Sequence, residues 1–305
     1  MKKPLSMYGL KESMMAINEK KEPSSWITEM VRDWVNTSPE NTLENAAHEK
    51  AWDDPLVGFS RGDDAYWESF KEHVGPFHWT PEEAFEKSFL GSHVPPHKLT
   101  VISWVLPQMQ KTKLDTRKEK TYPPESWARA RFYGEMVNEK LRRHVVLELA
   151  KADIWATAPM LHPEWSRMPS DKFVFSSKWS ERHAAFVSGL GTFGLCDGLI
   201  TPRGKAMRVG SVVAEIEVTP TPRPYQDHRE YCLWFSQGTC KKCVKRCPVG
   251  ALSEKGHDKT TCMKHVHETC KQHIIEHYGF DGYACGLCQT GVPCESRIPV
   301  KEGDE

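Results

Sequence analysis

The chain has 305 residues, 39% hydrophobic and 27% charged, with 41 basic side chains balancing 41 acidic ones. That apolar content argues against disorder, and zero net charge argues against a protein that grips nucleic acid mainly through its overall charge. The length predicts one large domain or two, and no apolar run approaches the roughly 18 residues of a membrane span.

The start, MKKPLSMYGLKESMM, is basic but has no apolar stretch behind it and no twin-arginine pair, so a cytoplasmic location is expected. Residues 1–52 are polar and mixed, and read as an extension of short helices and loops. Within GPFHWTPEEAF, Thr80-Pro81-Glu82-Glu83 predicts a helix start: an N-cap threonine, a proline at the first helical position and acids in the first turn. Val101–Leu106 reads as a buried strand ended by Pro107, Trp127–Lys151 as a long amphipathic helix, and Asp153–Ala158 as a second strand. Trp179–Ser188 predicts a further helix ended by Gly189, and Met207–Val218 a β-branched strand. Alternating strands and helices predict a layered α/β core over residues 53–220. The eleven Trp and twelve Phe read as its packing. TPTPRPY, between Val218 and Tyr225, reads as a stiff connector, which places a boundary before residues 221–305.

Nine of the ten cysteines lie between Cys232 and Cys294. In a long chain with no export signal, such clustering indicates metal rather than disulfides. Cys240-x2-Cys243-x3-Cys247-Pro248 is most of the C-x2-C-x2-C-x3-C-P run of bacterial ferredoxins, with Gln237 where the first cysteine would stand. Closely spaced thiolates let one tight loop supply several corners of a cubane. The cysteine before proline is expected to open a following helix and to serve a second cluster. Cys232 replaces the missing ligand if WFSQG loops outward. Cys285-x2-Cys288 with Cys294 makes a second group. The crossed arrangement then gives Cys232, Cys240, Cys243 and Cys294 to one 4Fe–4S cluster, and Cys247, Cys262, Cys285 and Cys288 to the other. Cys196 and Cys270 are left over, and Cys270 competes with Cys232 or Cys262 for a ligand position. Structural zinc and disulfides are the competing readings. His273-Ile274-Ile275-Glu276-His277 matches the inverted zinc-peptidase motif, but it reads as an exposed histidine-rich helix between cluster ligands.

Residues 181–215, with His183-Ala184-Ala185, Ser188-Gly189-Leu190-Gly191, Gly194, Leu199-Ile200 and Arg208-Val209-Gly210, resemble the cobalamin-dependent iron–sulfur reductases. That group holds the tRNA-modifying epoxyqueuosine reductases and the reductive dehalogenases. The resemblance covers roughly residues 95–300. It implies an α+β chain: an α/β corrinoid-binding core with nitroreductase-like layers, followed by a ferredoxin-like domain with two 4Fe–4S clusters. It also implies cobalamin held by His183, Gly189, Leu190, Gly191, Gly194, Arg208 and Gly210, the bare glycine turn letting backbone approach the macrocycle.

The chain departs from the group at Phe175, which stands where epoxyqueuosine reductases carry a proton-donating aspartate. Ser177 and Lys178 are the nearest polar candidates for catalysis, with Tyr133 as a candidate for the dehalogenase tyrosine. The expected activity is reductive cleavage of a small organic substrate, with reduced ferredoxin or flavodoxin as electron donor and no membrane partner. Two alternatives stay open: an electron-transfer protein without corrinoid, and a tRNA-modifying enzyme. For the latter, Arg129, Arg131, Lys140, Arg142 and Arg143 on one helix offer phosphate contacts, against the reading of a solvated helix face.

Overall fold

A computed structural model describes residues 22–299. Its centre is a four-stranded sheet in the order Leu56–Arg61, Leu99–Pro107, Met207–Glu215, Ala156–Thr157. Every pairing in it is antiparallel. The alternation of helix and strand therefore does not build a parallel sheet. The result is a mixed helix and sheet fold.

Both faces of the sheet are covered, which explains why Leu99–Pro107 is buried at every position. Ile102, Trp104, Leu106, Val212 and Ala214 face one way, toward the helices Pro23–Thr37 and Glu125–Lys151. Leu99, Val101, Val105, Val209 and Val213 face the other, toward Trp67, Phe70, Trp79, Trp179 and Phe186. The alternation follows from the period of two along a strand. Trp104 lies over the backbone of Gly210, where a Cβ would come within 2.5 Å of the indole ring. The indole N–H of Trp104 donates to Asn138 at 2.9 Å.

The helix expected at Thr80 runs over Pro81–Ser88 with a capping box. The Glu83 N–H reaches the Thr80 hydroxyl at 3.2 Å, and the Thr80 N–H reaches the Glu83 carboxylate at 2.9 Å. The strand expected over Asp153–Ala158 contracts to Ala156–Thr157, because Asp153 turns the chain with φ 59°. The expected helix over Trp179–Ser188 is Glu181–Val187, and the last strand stops at Glu215. Within the N-terminal extension, residues 1–21 lie outside the described part, and Pro23–Thr37 packs Ile27, Val31 and Val35 into the core.

The Pro-rich connector is fastened to the core. Thr221 N–H donates to Phe59 O at 3.0 Å, and Phe59 N–H returns a bond to the Thr221 hydroxyl at 2.9 Å. Beyond it the cysteine-bearing segment folds back over the core. Arg246 spans the junction, donating to the carbonyls of Thr116 (2.9 Å), Glu119 (2.8 Å), Leu287 (3.1 Å) and Thr290 (3.1 Å).

Candidate metal centre

Cys232 caps the start of the five-residue helix Leu233–Gln237. Gly238 ends that helix in the left-handed region at φ 71°, a conformation open to glycine without strain. The stretch expected to loop outward is thus a single helical turn that brings Cys240 back toward Cys232. Cys243 sits in the helix Lys242–Arg246, and Cys247 caps its end. No helix follows Cys247-Pro248, contrary to the ferredoxin expectation, because the chain turns through Gly250 at φ 65° into the strand Leu252–Ser253.

Cys232, Cys240, Cys243 and Cys294 line one cavity, closed on its core side by Gly194, Ile200 and Lys205. Four thiols around one cavity are a donor set suited to a 4Fe–4S cluster. The other expected set is gathered less completely. Cys247 and Cys288 pack against the same apolar cluster as the first set. The Cys285 thiol lies against Cys270, and the Cys270 thiol is 3.2 Å from His265 Nε2. The ligand atoms of His265, Cys270 and Cys285 all fall within 4.8 Å of one another. This group sits where the helix Lys259–Tyr278 widens into a π-helical turn over His265–Cys270, an irregularity common at functional sites. Cys262 lies instead beside His257, whose Nδ1 is 3.0 Å from Asp197. Burial opposes the charge on His257, but bonds to Asp197 and Cys262 outweigh it and raise the pKa to about 10.

Cys196 was left over in the sequence. It is buried, its thiol meets those of Cys243 and Cys288, and Lys205 Nζ donates to it at 3.3 Å. Its position in the Gly194–Ile200 stretch, which the sequence already tied to a cofactor, was the one available signal. Lys205 and His265 carried none.

Next to the thiols, the surface of the core is strongly basic. Arg182 keeps open surface, and desolvation by the surrounding protein lowers its pKa. It donates to Asp197 O at 3.1 Å. Arg131 donates to the Tyr283 hydroxyl at 3.0 Å, and burial together with nearby Arg208 pushes its pKa down to about 10. Arg208 pairs with Glu135 at 2.7 Å, and Glu135 also meets Arg142 at 3.2 Å. Lys259 Nζ donates to Phe175 O at 3.1 Å, next to the rings of Phe173 and Phe175, with its pKa lowered by burial.

The structure disperses the basic residues of the long helix. Arg142 is 1% exposed and bound to Glu181 at 3.0 Å, Arg131 faces Tyr283, and Arg129 pairs with Glu125. They form neither one phosphate-binding stripe nor one solvated face. His273 and His277 stack at 4.1 Å on a helix that buries Ile274 and exposes Gln272, Ile275 and Glu276. Among the described residues they join no third ligand.

The remaining expected site residues are engaged as follows. Lys178 Nζ donates to Glu164 O at 2.9 Å, and the Ser177 hydroxyl to Trp179 O at 2.8 Å, so both hold the loop before the helix Glu181–Val187. Tyr133 packs on Phe280 and beneath Arg129. His183 accepts or donates at 2.7 Å to Ser180 and sits against Phe70 and Phe193. Burial, with His78 and Arg182 nearby, keeps it neutral. Leu190 is a core residue.

The glycine turn does not present a bare face. A Cβ at Gly189 would lie 2.6 Å from Pro222 O, at Gly191 2.1 Å from Ile200 O, and at Gly194 3.2 Å from Ile200 Cδ1. Gly189 and Gly191 make room for the chain's own backbone, whereas Gly194 and Gly210 make room for the side chains of Ile200 and Trp104. A side chain at Gly189 or Gly191 is therefore excluded by the fold itself.

No protein-family profile matches the chain. Over 126 residues it is 30% identical to an epoxyqueuosine reductase of Bacillus anthracis, covering 39% of this chain and 30% of that protein. Over 120 residues it is 30% identical to a tetrachloroethene reductive dehalogenase of Desulfitobacterium hafniense, covering 38% of this chain and 20% of that one. The matches thus span a third or less of these relatives' lengths. Among solved structures, an epoxyqueuosine reductase with a tRNA stem loop aligns over 82% of this chain and 64% of its own, at 20% identity and a TM-score of 0.44. A reductive dehalogenase whose structure is described with a B12-dependent mechanism aligns over 80% of this chain and 30% of its own, at 14% identity and a TM-score of 0.50. The relatives by sequence, epoxyqueuosine reductases and reductive dehalogenases, are oxidoreductases.

Proposed function

We propose that this relative of the epoxyqueuosine reductases and reductive dehalogenases is an iron–sulfur reductase that reductively cleaves a small organic substrate with the help of a corrinoid. The observation that carries the reading is the convergence of Cys232, Cys240, Cys243 and Cys294 on one cavity whose opposite wall is the core itself. The donor set fits a 4Fe–4S cluster. The second cluster falls to Cys247, Cys262, Cys285 and Cys288, with Cys270 the nearest substitute.

For the corrinoid, the glycine turn Gly189–Gly194 remains the expected approach of the backbone. Arg131, Arg182, Arg208 and Tyr283 are the donors we assign to its amide-bearing arms, with the neutral ring of His183 beside Arg182. When bound and reduced, a corrinoid supplies a strongly nucleophilic cobalt. The protein's own part is to position and to deliver a proton. Lys178 and Ser177 are committed to loop carbonyls, and Tyr133 to Phe280. Lys259, held only by a backbone carbonyl and two rings, faces Arg182 and Asp197, and we assign it the proton at Nζ. Lys242 and Lys245 are exposed on the helix that carries Cys243, and they suit an acidic donor such as reduced ferredoxin or flavodoxin.

A second reading has its own support. The closure of Gly189 and Gly191 on Pro222 and Ile200 favours an electron carrier that binds no corrinoid. Titrating cobalamin into anaerobically reconstituted protein separates the two: saturable binding with corrinoid absorption bands supports the enzyme, and absence of binding at full iron content replaces it with the carrier. A gel-shift with a tRNA stem loop tests the remaining alternative, tRNA modification.

A further inference from the structure

Lys205 is 2% exposed, and its hydrogen-bond partner among the described residues is a thiol and not a carboxylate. Its charge is surrounded by sulfur: Nζ donates to Cys196 Sγ at 3.3 Å, and Cys243, Cys288 and Cys294 are the other groups acting on it. The placement is built into the backbone. The Lys205 N–H donates to Cys294 O at 2.9 Å, the next N–H, of Ala206, reaches Glu295 O at 3.2 Å, and the Thr201–Gly204 turn closes against the Glu295 carbonyl. Lys205 also lines the cavity shared by Cys232, Cys240, Cys243 and Cys294.

A buried ammonium without a counter-charge costs several kcal/mol. Neutral thiols do not offset that cost, and the single thiol of Cys196, whose pKa is held down by bonds to Cys243 and Cys288 and by Lys205, offsets it only in part. A 4Fe–4S cluster on four thiolates does, because it carries net negative charge and gains one more unit on reduction. A fixed cation therefore stabilises the reduced cluster more than the oxidised one, and net charge and hydrogen bonds to sulfur are what set such potentials.

Resting on the cluster assignment above, we propose that Lys205 is the internal counter-ion of the cluster on Cys232, Cys240, Cys243 and Cys294, and that it raises that cluster's reduction potential above the other's. Electrons entering the cysteine segment then settle on the cluster that adjoins Gly194 and Ile200 of the core. Lys205 is a positioning residue for charge, acting through the cluster.

The test is an EPR-monitored reductive titration of reconstituted wild type, Lys205→Met and Lys205→Arg, each with its iron counted first. The expected result is two separable steps in wild type and in Lys205→Arg. In Lys205→Met the more positive step moves to a more negative potential while the other stays. Loss of iron in Lys205→Met but not in Lys205→Arg supports the same role, since only the charge differs in kind. Full iron with both steps unmoved, or equal loss of iron in both variants, overturns it. Wild type that holds no cluster would instead refute the iron–sulfur reading, a separate and earlier failure.

Discussion

At the scale of single residues, the structure separates groups that hold chemistry from groups that hold the fold. Gly191 belongs to the second kind. A valine there would drive its Cβ into the Ile200 carbonyl, so Gly191→Val should lower thermal stability and disturb the adjoining thiol cavity, which Ile200 also lines. Retention of wild-type melting and iron content would contradict this. His78 makes a different case. It is fully buried, neither ring nitrogen finds a well-formed hydrogen bond among the described residues, and burial holds its pKa down at about 4 against 6.5. The folded state therefore prefers the neutral ring. That contribution is complete above the unfolded pKa and is lost as pH falls from 6.5 through about 4, to a total of about 3 kcal/mol. His78→Phe should keep neutral-pH stability and flatten the decline between pH 7 and pH 5 in urea denaturation. An unchanged slope would place the acid sensitivity elsewhere. Cys270→Ser resolves the ligand question left by spacing: retained iron leaves the second cluster to Cys262, and loss of about four irons per chain brings Cys270 in beside Cys285.

At the scale of elements, what the sequence showed depended on whether the signal was local. The long helix, expected over Trp127–Lys151, begins two residues earlier at Glu125, and the strand Leu99–Pro107 contains the expected Val101–Leu106. Both have strong periodicity and clear stops. The antiparallel order of the sheet was not legible, because alternation of helix and strand does not record which strands meet. The helix expected after Pro248 failed for a local reason, the turn at Gly250. At the site, Cys232 was reachable from sequence because a glycine-ended helical turn spans the gap to Cys240. Lys205, Cys196 and His265 were not, because each acquires its partners only when the segment Gly194–Ala206 docks on Cys243, Cys288 and Cys294, or when a π-turn aligns His265 with Cys270. The clamp that makes this docking firm is Arg246. Arg246→Ala would strip donors from the carbonyls of Thr116, Glu119, Leu287 and Thr290, and should cost about 2 kcal/mol in chemical denaturation. A change below about 0.5 kcal/mol would mean water replaces the guanidinium at no loss.

At the scale of the whole molecule, an antiparallel sheet covered on both faces carries Arg182 beside Cys196 and Cys288. Among the described residues no helix is long and apolar enough to cross a membrane. The proposed reduction requires two stations for electrons in the cysteine-bearing segment. The measurement is iron and sulfide content, with EPR of the reduced protein, after anaerobic reconstitution of the wild type and Cys232→Ser. Close to eight irons per chain in wild type, falling to about four in the variant, is the predicted result. About four irons in both, or tightly bound zinc in place of iron, would contradict it.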